Sequence, residues 1–202
     1  MEHGVHLDRA LELVMRHPLR RSSCTIDLDS ARNRVLSHSL KSLVDNPRFD
    51  NSAMDGFAVR ASDCITPGVE LSIVGTSQAG GDPPPEISAG EACRIMTGAP
   101  LPRGADAIVM VEDTEVSGER VTINGPARTG YIRKRAENLS IGQEALPTGA
   151  LLSSACIALA GTMGHGTVRV IQKPRIAILS TGDELVQPGV RLEPGQIYES
   201  NS

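Results

Sequence analysis

Between Asp55 and Arg133 the chain alternates short β-like runs with turns, and this alternation restricts the fold more than any other feature. The runs cover residues 57–59, 71–76, 92–96, 107–111, 114–116 and 121–123. Their spacing is regular, and no long helical pattern interrupts them. The sequence has 20 Gly and 13 Pro but only 2% aromatic residues, so the core must be aliphatic and the turns numerous. We therefore predict a compact all-β unit, a small barrel or sandwich.

Helical patterns flank this β segment. Residues 7–16 carry apolar side chains at helical spacing, which predicts an amphipathic helix that ends at Pro18. A second helix is predicted over about 153–163, with Ser153 or Ser154 as its N-cap and Gly164 at its C-terminal end. The other predicted elements are a short helix over 29–34, an exposed or edge strand through 36–42 and a strand over 167–171.

Pro174 is predicted to lead into a further domain. Residues 175–179 form a nearly continuous apolar run, which is typical of a strand buried on both faces of a parallel sheet. The polar residues 180–184 would then lie at the carboxyl end of that strand, where open α/β sheets bind ligands. Because one strand cannot form such a sheet, we expect the sequence to contain only the beginning of an α/β domain.

Charge and composition exclude some classes of function. The net charge of about −4 argues against a nucleic-acid-binding surface, and residues 133–135 form only a short basic cluster. No apolar run approaches the length of a membrane span, so we expect a cytoplasmic protein without membrane association. The four cysteines (Cys24, Cys64, Cys93 and Cys156) fit neither a zinc motif nor a disulfide framework, so they are predicted to be reduced thiols.

The stretch from Pro47 to Val59 concentrates polar groups. It holds the carboxylates of Asp50 and Asp55, with Asn51, Ser52 and Gly56, directly before an apolar segment. Small polar residues next to a glycine are typical of a tight turn, because their side chains bond the local backbone. A structural turn and a functional site are both consistent with this stretch alone.

Two further polar loops follow apolar runs, Met96-Thr97-Gly98-Ala99-Pro100 and Ser180-Thr181-Gly182-Asp183-Glu184-Leu185. Together with Phe49-Asp50-Asn51-Ser52-Ala53-Met54-Asp55-Gly56, they resemble the signatures of the MoeA and gephyrin family of molybdopterin molybdenumtransferases, in the same order and spacing. The resemblance extends from about Leu7 to Ser202. It favours function over a merely structural role for these loops.

The resemblance implies an enzyme of molybdenum cofactor biosynthesis. Such an enzyme inserts molybdate into adenylylated molybdopterin with release of AMP and uses Mg²⁺. It also implies a homodimer that receives its substrate from a molybdopterin adenylyltransferase. Hydroxyls and backbone N–H groups can hold oxyanions, whereas carboxylates can hold Mg²⁺ or a water.

The resemblance also assigns site residues. It implies catalytic roles for Asp55, Thr97 and Glu184, and it places the metal-binding aspartates of the family beyond residue 202. The implied substrate-binding residues are Ser52, Arg135, Glu137, Asn138, Ser180, Thr181, Gly182 and Asp183. From the residues alone, Asp55 and Thr97 could instead bond turn backbones, and Glu184 could cap a helix start.

The chain departs from the family pattern most clearly in residues 133–138. The family has Arg-x-x-Gly-Glu-Asp where this sequence has Arg133-Lys134-Arg135-Ala136-Glu137-Asn138. Asn138 stands where the family has a functional aspartate, and an amide cannot carry that charge. This departure indicates a paralogue with reduced or altered activity. A second change, Asn33 in place of a family glycine, is interpreted as structural.

The resemblance implies a mixed α+β, multidomain fold. Residues 1–48 and 136–173 would form an elongated domain, residues 49–135 an inserted barrel-like β domain, and residues 174–202 the start of an α/β domain of the MoaB and Mog type. The 202-residue chain alone is then expected to be inactive. Two alternatives remain: a dimerisation or scaffold module of the gephyrin type, and an unrelated β-barrel binding module with accidental motifs.

Overall fold

The computed structural model describes residues 5–16 and 22–201, and it shows a mixed α/β chain. The helices are α1 (Leu7–Met15) and α2 (Ser154–Thr162). The strands are β1 (Ser23–Asp27), β2 (Leu40–Lys41), β3 (Asn51–Ser52), β4 (Gly56–Val59), β5 (Val69–Ser77), β6 (Glu91–Ile95), β7 (Ala107–Met110), β8 (Thr114–Ser117), β9 (Arg120–Ile123), β10 (Ile132–Arg133), β11 (Glu144–Leu146), β12 (Thr167–Ile171), β13 (Leu185–Val186) and β14 (Ile197–Tyr198). The chain divides into two compact units, Thr25–Val170 and the combination of Met1–Cys24 with Ile171–Ser202.

A curled six-stranded sheet dominates the unit Thr25–Val170, in the order β7-β4-β6-β5-β9-β8. Only β5 and β6 pair in parallel, and the other neighbours in this sheet are antiparallel. All six β-like runs predicted between residues 57 and 123 are strands of this one sheet, with ends displaced by at most a few residues. The prediction of an all-β segment is therefore confirmed, whereas the finer description of an inserted barrel-like domain stays a prediction.

The strand β4, which lies between β7 and β6, is buried along its whole length, because apolar side chains cover both faces of the sheet. Phe57 and Val59 point to a cluster that includes Val109 of β7, and Ala58 points to the opposite cluster with Ile108. This alternation follows from the two-residue period of a strand. The rigid sheet fixes the start of β4, and therefore the polar residues that directly precede it.

Smaller elements complete this unit. The strands β3 and β10 pair antiparallel, as do β2 and β11, while β1 and β12 form another two-stranded sheet. The helix α2 has Ser153 as its N-cap, whose hydroxyl accepts a hydrogen bond from the Cys156 N–H at 3.3 Å. Gly164 follows the helix with a φ of +94°. The predicted helix and its N-cap are confirmed, whereas the C-cap is Met163 and the predicted Gly164 is the next residue.

Two predictions in this unit are wrong. The helix predicted over 29–34 is only a single 3₁₀ turn, Leu28–Ser30, because Asn33 has a left-handed φ of +60° that ends any helical continuation. The edge strand predicted through 36–42 is reduced to β2 and to isolated bridges at Val35 and Leu36. Its mixed polar pattern does not sustain a continuous ladder.

In the other unit, α1 confirms the predicted amphipathic helix, although the predicted end at Pro18 lies outside the described residues. The strand predicted over 175–179 is wrong: these residues form no strand, and Ile176, Ile178 and Leu179 are exposed. A strand requires main-chain partners, and no described residue pairs with this run. The strands nearby are β13 and β14, which pair in parallel. None of the described helices has the length and apolar character needed to span a membrane.

Candidate functional site

Main-chain hydrogen bonds bring the first two polar loops together. Ser52 in β3 donates its N–H to the carbonyl of Ala99 at 3.1 Å and accepts the N–H of Gly98 at 2.8 Å. The Ser52 hydroxyl is buried and bonds to the main chain of Met54, so it shapes the turn between β3 and β4. Ser52 therefore holds the loop 96–100 against the turn, and its predicted contact with substrate stays a prediction.

The hydrogen bonds of Ser52 with the loop 96–100 place Asp55 and Thr97 in direct contact. The Asp55 Oδ1 atom accepts a hydrogen bond from the Thr97 N–H at 2.7 Å and another from the Thr97 hydroxyl at 2.9 Å. These two bonds, the main-chain bond first, hold the pKa of the Asp55 carboxyl below its ordinary value, so it is ionised at neutral pH. Both side chains are exposed, which leaves the charged group accessible to a ligand.

Glycines of the two loops are required by the geometry. A Cβ atom at Gly56 would lie 2.0 Å from the carbonyl oxygen of Val109, so only glycine allows β4 to approach β7 at this point. Gly98 has open space around it but a φ of +80°, which glycine adopts without strain. The polar loops are therefore structural turns and also the positions that bring Asp55 and Thr97 together.

A second polar group forms around residues 133–138, which we name the basic turn. Arg135 donates from Nε to the Asp45 carboxylate at 2.6 Å, and Lys134 donates from Nζ to Asp50 Oδ2 at 2.9 Å. The main-chain N–H of Arg135 also donates to Asp50 Oδ1, at 2.8 Å. The pKa values of both aspartates are lowered. The largest cause for Asp45 is a hydrogen bond from the Ile141 N–H, and the largest cause for Asp50 is the hydrogen bond from the Lys134 side chain.

Glu137 and Asn138 lie at the end of the basic turn. Glu137 accepts hydrogen bonds from the Lys134 N–H at 2.8 Å and from Arg133 Nε at 3.1 Å, and these bonds lower the pKa of its carboxyl. Asn138 donates from Nδ2 to Asn46 Oδ1 at 2.9 Å. Asn46 and Asn138 also line a cavity of about 360 Å³. The side chain of Asn138 thus donates to another amide, which is a neutral partner.

The two departures from the family glycines have visible consequences. Ala136 and Asn33 both have a φ of +60°. This region costs an ordinary L residue free energy, and asparagine tolerates it better than alanine. The structural interpretation of Asn33 is therefore supported, while Ala136 holds a strained conformation inside the basic turn.

The third predicted loop, residues 180–184, lies in the other unit. The Ser180 hydroxyl donates to Glu199 Oε1 at 2.7 Å, and the Asn201 N–H donates to the same oxygen at 2.6 Å. Ser180, Gly182 and Glu199 line a cavity of about 370 Å³. Thr181, Asp183 and Glu184 are exposed, and the Glu184 carboxylate lies over Gly182, 2.5 Å from where a Cβ would stand.

Sequence reasoning missed Asp45 and Glu199, and it assigned no specific role to Asp50 of the first polar motif. Asp45 and Asp50 anchor the basic turn, and Glu199 is a buried carboxylate beside Ser180. Asp50 was visible as part of a polar motif, but its partner lies 84 residues away in the sequence. No local pattern distinguishes Asp45 or Glu199 from an ordinary surface acid.

The predicted site residues form separate groups. Asp55 and Thr97 are in contact, whereas Arg135, Glu137 and Asn138 belong to the basic turn and Glu184 to the other unit. Within residues 5–16 and 22–201, no three His, Cys, Asp or Glu side chains converge to hold a metal ion.

Comparison with known proteins gives a consistent result. Residues 5–164 match the family described as the MoeA N-terminal region, domains I and II. The chain is 40% identical to a molybdopterin molybdenumtransferase from a Nostoc species over 87% of its length, and 41% identical to molybdopterin molybdenumtransferase 2 of Mycobacterium tuberculosis over 88%. It covers 42% and 45% of these relatives, respectively.

A crystal structure of a MoeA protein of molybdopterin biosynthesis from Pyrococcus horikoshii superposes with a TM-score of 0.83 at 34% identity, over 97% of this chain and 51% of that one. The chain thus spans about half the length of these proteins.

Proposed function

The chain belongs to the MoeA family through its N-terminal region, and on this basis we propose that the protein carrying it is a molybdopterin molybdenumtransferase. The reaction inserts molybdate into adenylylated molybdopterin and releases AMP. The names of the curated relatives support this proposal, because several of them are molybdopterin molybdenumtransferases. The family match also excludes the reading of accidental motifs on an unrelated β-barrel.

The contact between Asp55 and Thr97 is the observation that carries the proposal. It joins the two polar loops that match the family, and it leaves an ionised carboxylate exposed at the end of a rigid strand. A carboxylate held in this way can orient a water or accept its proton, provided that the substrate reaches it. The Thr97 hydroxyl fixes one carboxylate oxygen, so the other is directed away from Thr97.

The basic turn supports a role in holding an anionic substrate. It carries three cationic side chains, Arg133, Lys134 and Arg135, on one short segment. Each is paired with a carboxylate, and the side chains of all three remain between 47% and 66% exposed. Cationic side chains of this kind and main-chain N–H groups can donate hydrogen bonds to phosphate and molybdate oxygens, and they bring no negative charge of their own.

The remaining parts of the proposal rest on family membership. The protein would act as a homodimer with Mg²⁺ in the cytoplasm, after a molybdopterin adenylyltransferase. Residues 1–48 and 136–173 would form one domain around an inserted β domain, 49–135, with residues 174–202 beginning an α/β domain. Ser180, Thr181, Gly182, Asp183 and Glu184 would contact substrate from that domain.

A complementation experiment tests the proposal. Cells that lack their own molybdopterin molybdenumtransferase would receive the protein that carries this chain, and the activity of a molybdoenzyme would be measured. We expect rescue, and we expect Asn138→Asp to raise it because the substitution restores the carboxylate of the family. Asn138→Gln serves as the control, since it keeps the neutral amide.

A scaffold of the gephyrin type is the second candidate. Asn138 in place of the functional aspartate favours it, and so do the apolar side chains of α1, with Leu7, Leu11, Val14 and Met15 at least 61% exposed. Such a protein would fold and dimerise through apolar surfaces without performing the transfer. A folded, dimeric protein that fails to rescue in both the wild-type and the Asn138→Asp forms would favour this candidate.

A further inference from the structure

Asp50 is the acidic residue of the first polar motif that the proposed chemistry does not use. Both of its carboxylate oxygens face the basic turn, Oδ2 toward Lys134 Nζ at 2.9 Å and Oδ1 toward the Arg135 N–H at 2.8 Å. Its main-chain carbonyl points elsewhere and accepts the Leu101 N–H at 2.9 Å. One residue therefore contacts two segments that are far apart in the sequence.

Residues 45–50 form the surface on which the basic turn lies. The Ala136 N–H donates to the Pro47 carbonyl at 2.9 Å, and the Asn138 N–H donates to the Asn46 carbonyl at 3.0 Å. Asp45 holds the guanidinium of Arg135 from a side chain that is only 9% exposed. Of the acidic side chains on this surface, Asp50 is the one that bonds the main chain in the middle of the turn.

Asp50 also lies directly before β3, which is the strand that organises the Asp55–Thr97 contact. Ser52, two residues later, holds the loop 96–100 through two main-chain bonds. The main-chain bond from Leu101 to Asp50 fixes the other end of the same loop. A displacement of Asp50 relative to the basic turn would therefore change the distance between that turn and Asp55.

We propose that Asp50 is a positioning residue that holds the substrate-binding basic turn in register with the Asp55–Thr97 pair by accepting the Arg135 N–H. The inference rests on the proposed function, because the basic turn is taken to bind the anionic substrate. The Lys134 ammonium keeps the carboxylate ionised, and its hydrogen bond is the largest cause of the lowered pKa of Asp50. The hydrogen bond from the Arg135 N–H fixes the position of the basic turn, because it acts on the backbone itself.

Kinetics of molybdenum transfer by the protein that carries this chain test the proposal. Asp50→Ala removes both bonds and should raise KM for adenylylated molybdopterin about tenfold while kcat changes by about twofold or less. Asp50→Asn keeps an acceptor for the Arg135 N–H and should stay within about twofold of the wild-type KM.

Asp106→Ala is the matched control. Asp106 also accepts a main-chain hydrogen bond, from the Ala61 N–H at 2.7 Å, but it lies away from the basic turn. This variant reports the effect of losing a comparable structural bond, and its KM should equal that of the wild type. Amide hydrogen exchange of residues 134–138, measured in the same proteins, should be accelerated in Asp50→Ala alone.

The outcomes separate the two proposals. Wild-type protein without transfer activity would defeat the proposed function. An active wild type with unchanged KM and unchanged exchange in Asp50→Ala would overturn the positioning role alone. Asp50→Asn as impaired as Asp50→Ala would also overturn it, because the charge and not the main-chain bond would then be the important feature.

Discussion

Asp55 and Thr97, which are 42 residues apart in the sequence, meet through two hydrogen bonds to the same carboxylate oxygen, at 2.7 and 2.9 Å. The contact joins the turn before β4 to the loop after β6. Because those two strands are neighbours in the central sheet, the contact rests on rigid elements and not on mobile loops.

The hydroxyl of Thr97 should contribute to activity separately from its main chain. Thr97→Val keeps the shape and the N–H bond to Asp55 but removes the hydroxyl, so transfer activity should fall about tenfold. Thr97→Ser keeps the hydroxyl and should retain most of the activity. Rates at saturating substrate decide the question, and equal rates in Thr97→Val and the wild type would show that the hydroxyl plays no part.

Stability should fall at acid pH because of the paired carboxylates. Asp45, Asp50, Asp55 and Glu137 have folded-state pKa values below their ordinary values, 3.8 for Asp and 4.5 for Glu. Their contribution is therefore present above the unfolded-state pKa and is lost as the pH falls through the lowered folded-state pKa. Urea unfolding of the 202-residue chain between pH 7 and pH 2.5 measures this loss.

The matched variant for the acid experiment is Asp50→Asn, which cannot ionise. The free energy of unfolding of this variant should approach that of the wild type as the pH falls from the ordinary Asp pKa of 3.8 through the lowered folded-state pKa, because the wild-type carboxylate becomes protonated over that range. A constant difference between the two proteins over the whole pH range would contradict the lowered pKa of Asp50.

The glycines of the two polar loops should respond differently to alanine. Gly56→Ala places a Cβ 2.0 Å from the Val109 carbonyl oxygen, so it should destabilise the chain by more than about 4 kcal/mol or prevent folding. Gly98→Ala meets only the cost of its positive φ, about 1–2 kcal/mol. Gly130→Ala is the control, since its Cβ would meet nothing within 4 Å. Thermal unfolding of the three variants should therefore rank Gly56→Ala as the least stable and Gly130→Ala as the most stable.

Replacement of Ala136 by glycine should stabilise the chain. Ala136 has a φ of +60°, and glycine removes the left-handed penalty at the expense of a more flexible unfolded state, for a net gain of up to about 1 kcal/mol. Asn33→Gly, at the same φ of +60°, is the control and should gain less because asparagine already tolerates this region. A lower unfolding midpoint for Ala136→Gly than for the wild type would contradict the assignment of strain.

The sheet could be predicted from the sequence because most of its strands carry an apolar run of their own, β8 being the exposed exception. Phe57, Val109 and Val121 are buried where the alternation places them. The run at 175–179 satisfied the same criterion and is nevertheless not a strand, since a strand depends on main-chain partners that a local pattern does not reveal. The helix predicted over 29–34 failed because the left-handed conformation of Asn33 has no periodic signal.

The candidate site could be predicted only in part. The motifs identified Asp55 and Thr97, and the structure shows that these residues are in contact. The pairing of Asp50 with Lys134 could not be predicted, since the two residues lie in segments whose proximity depends on the β3–β10 pairing. Ion pairs of this kind leave no trace in spacing or composition.

Molybdenum transfer by the purified protein that carries this chain is the most direct test, with adenylylated molybdopterin, molybdate and Mg²⁺ supplied. We predict transfer by the wild type and a loss of about 100-fold or more in Asp55→Asn, which preserves the shape of the side chain but not its charge. Asp82→Asn, in an exposed loop, should match the wild type. No transfer by folded wild-type protein, or equal rates in the wild type and Asp55→Asn, would contradict the proposed function of this site.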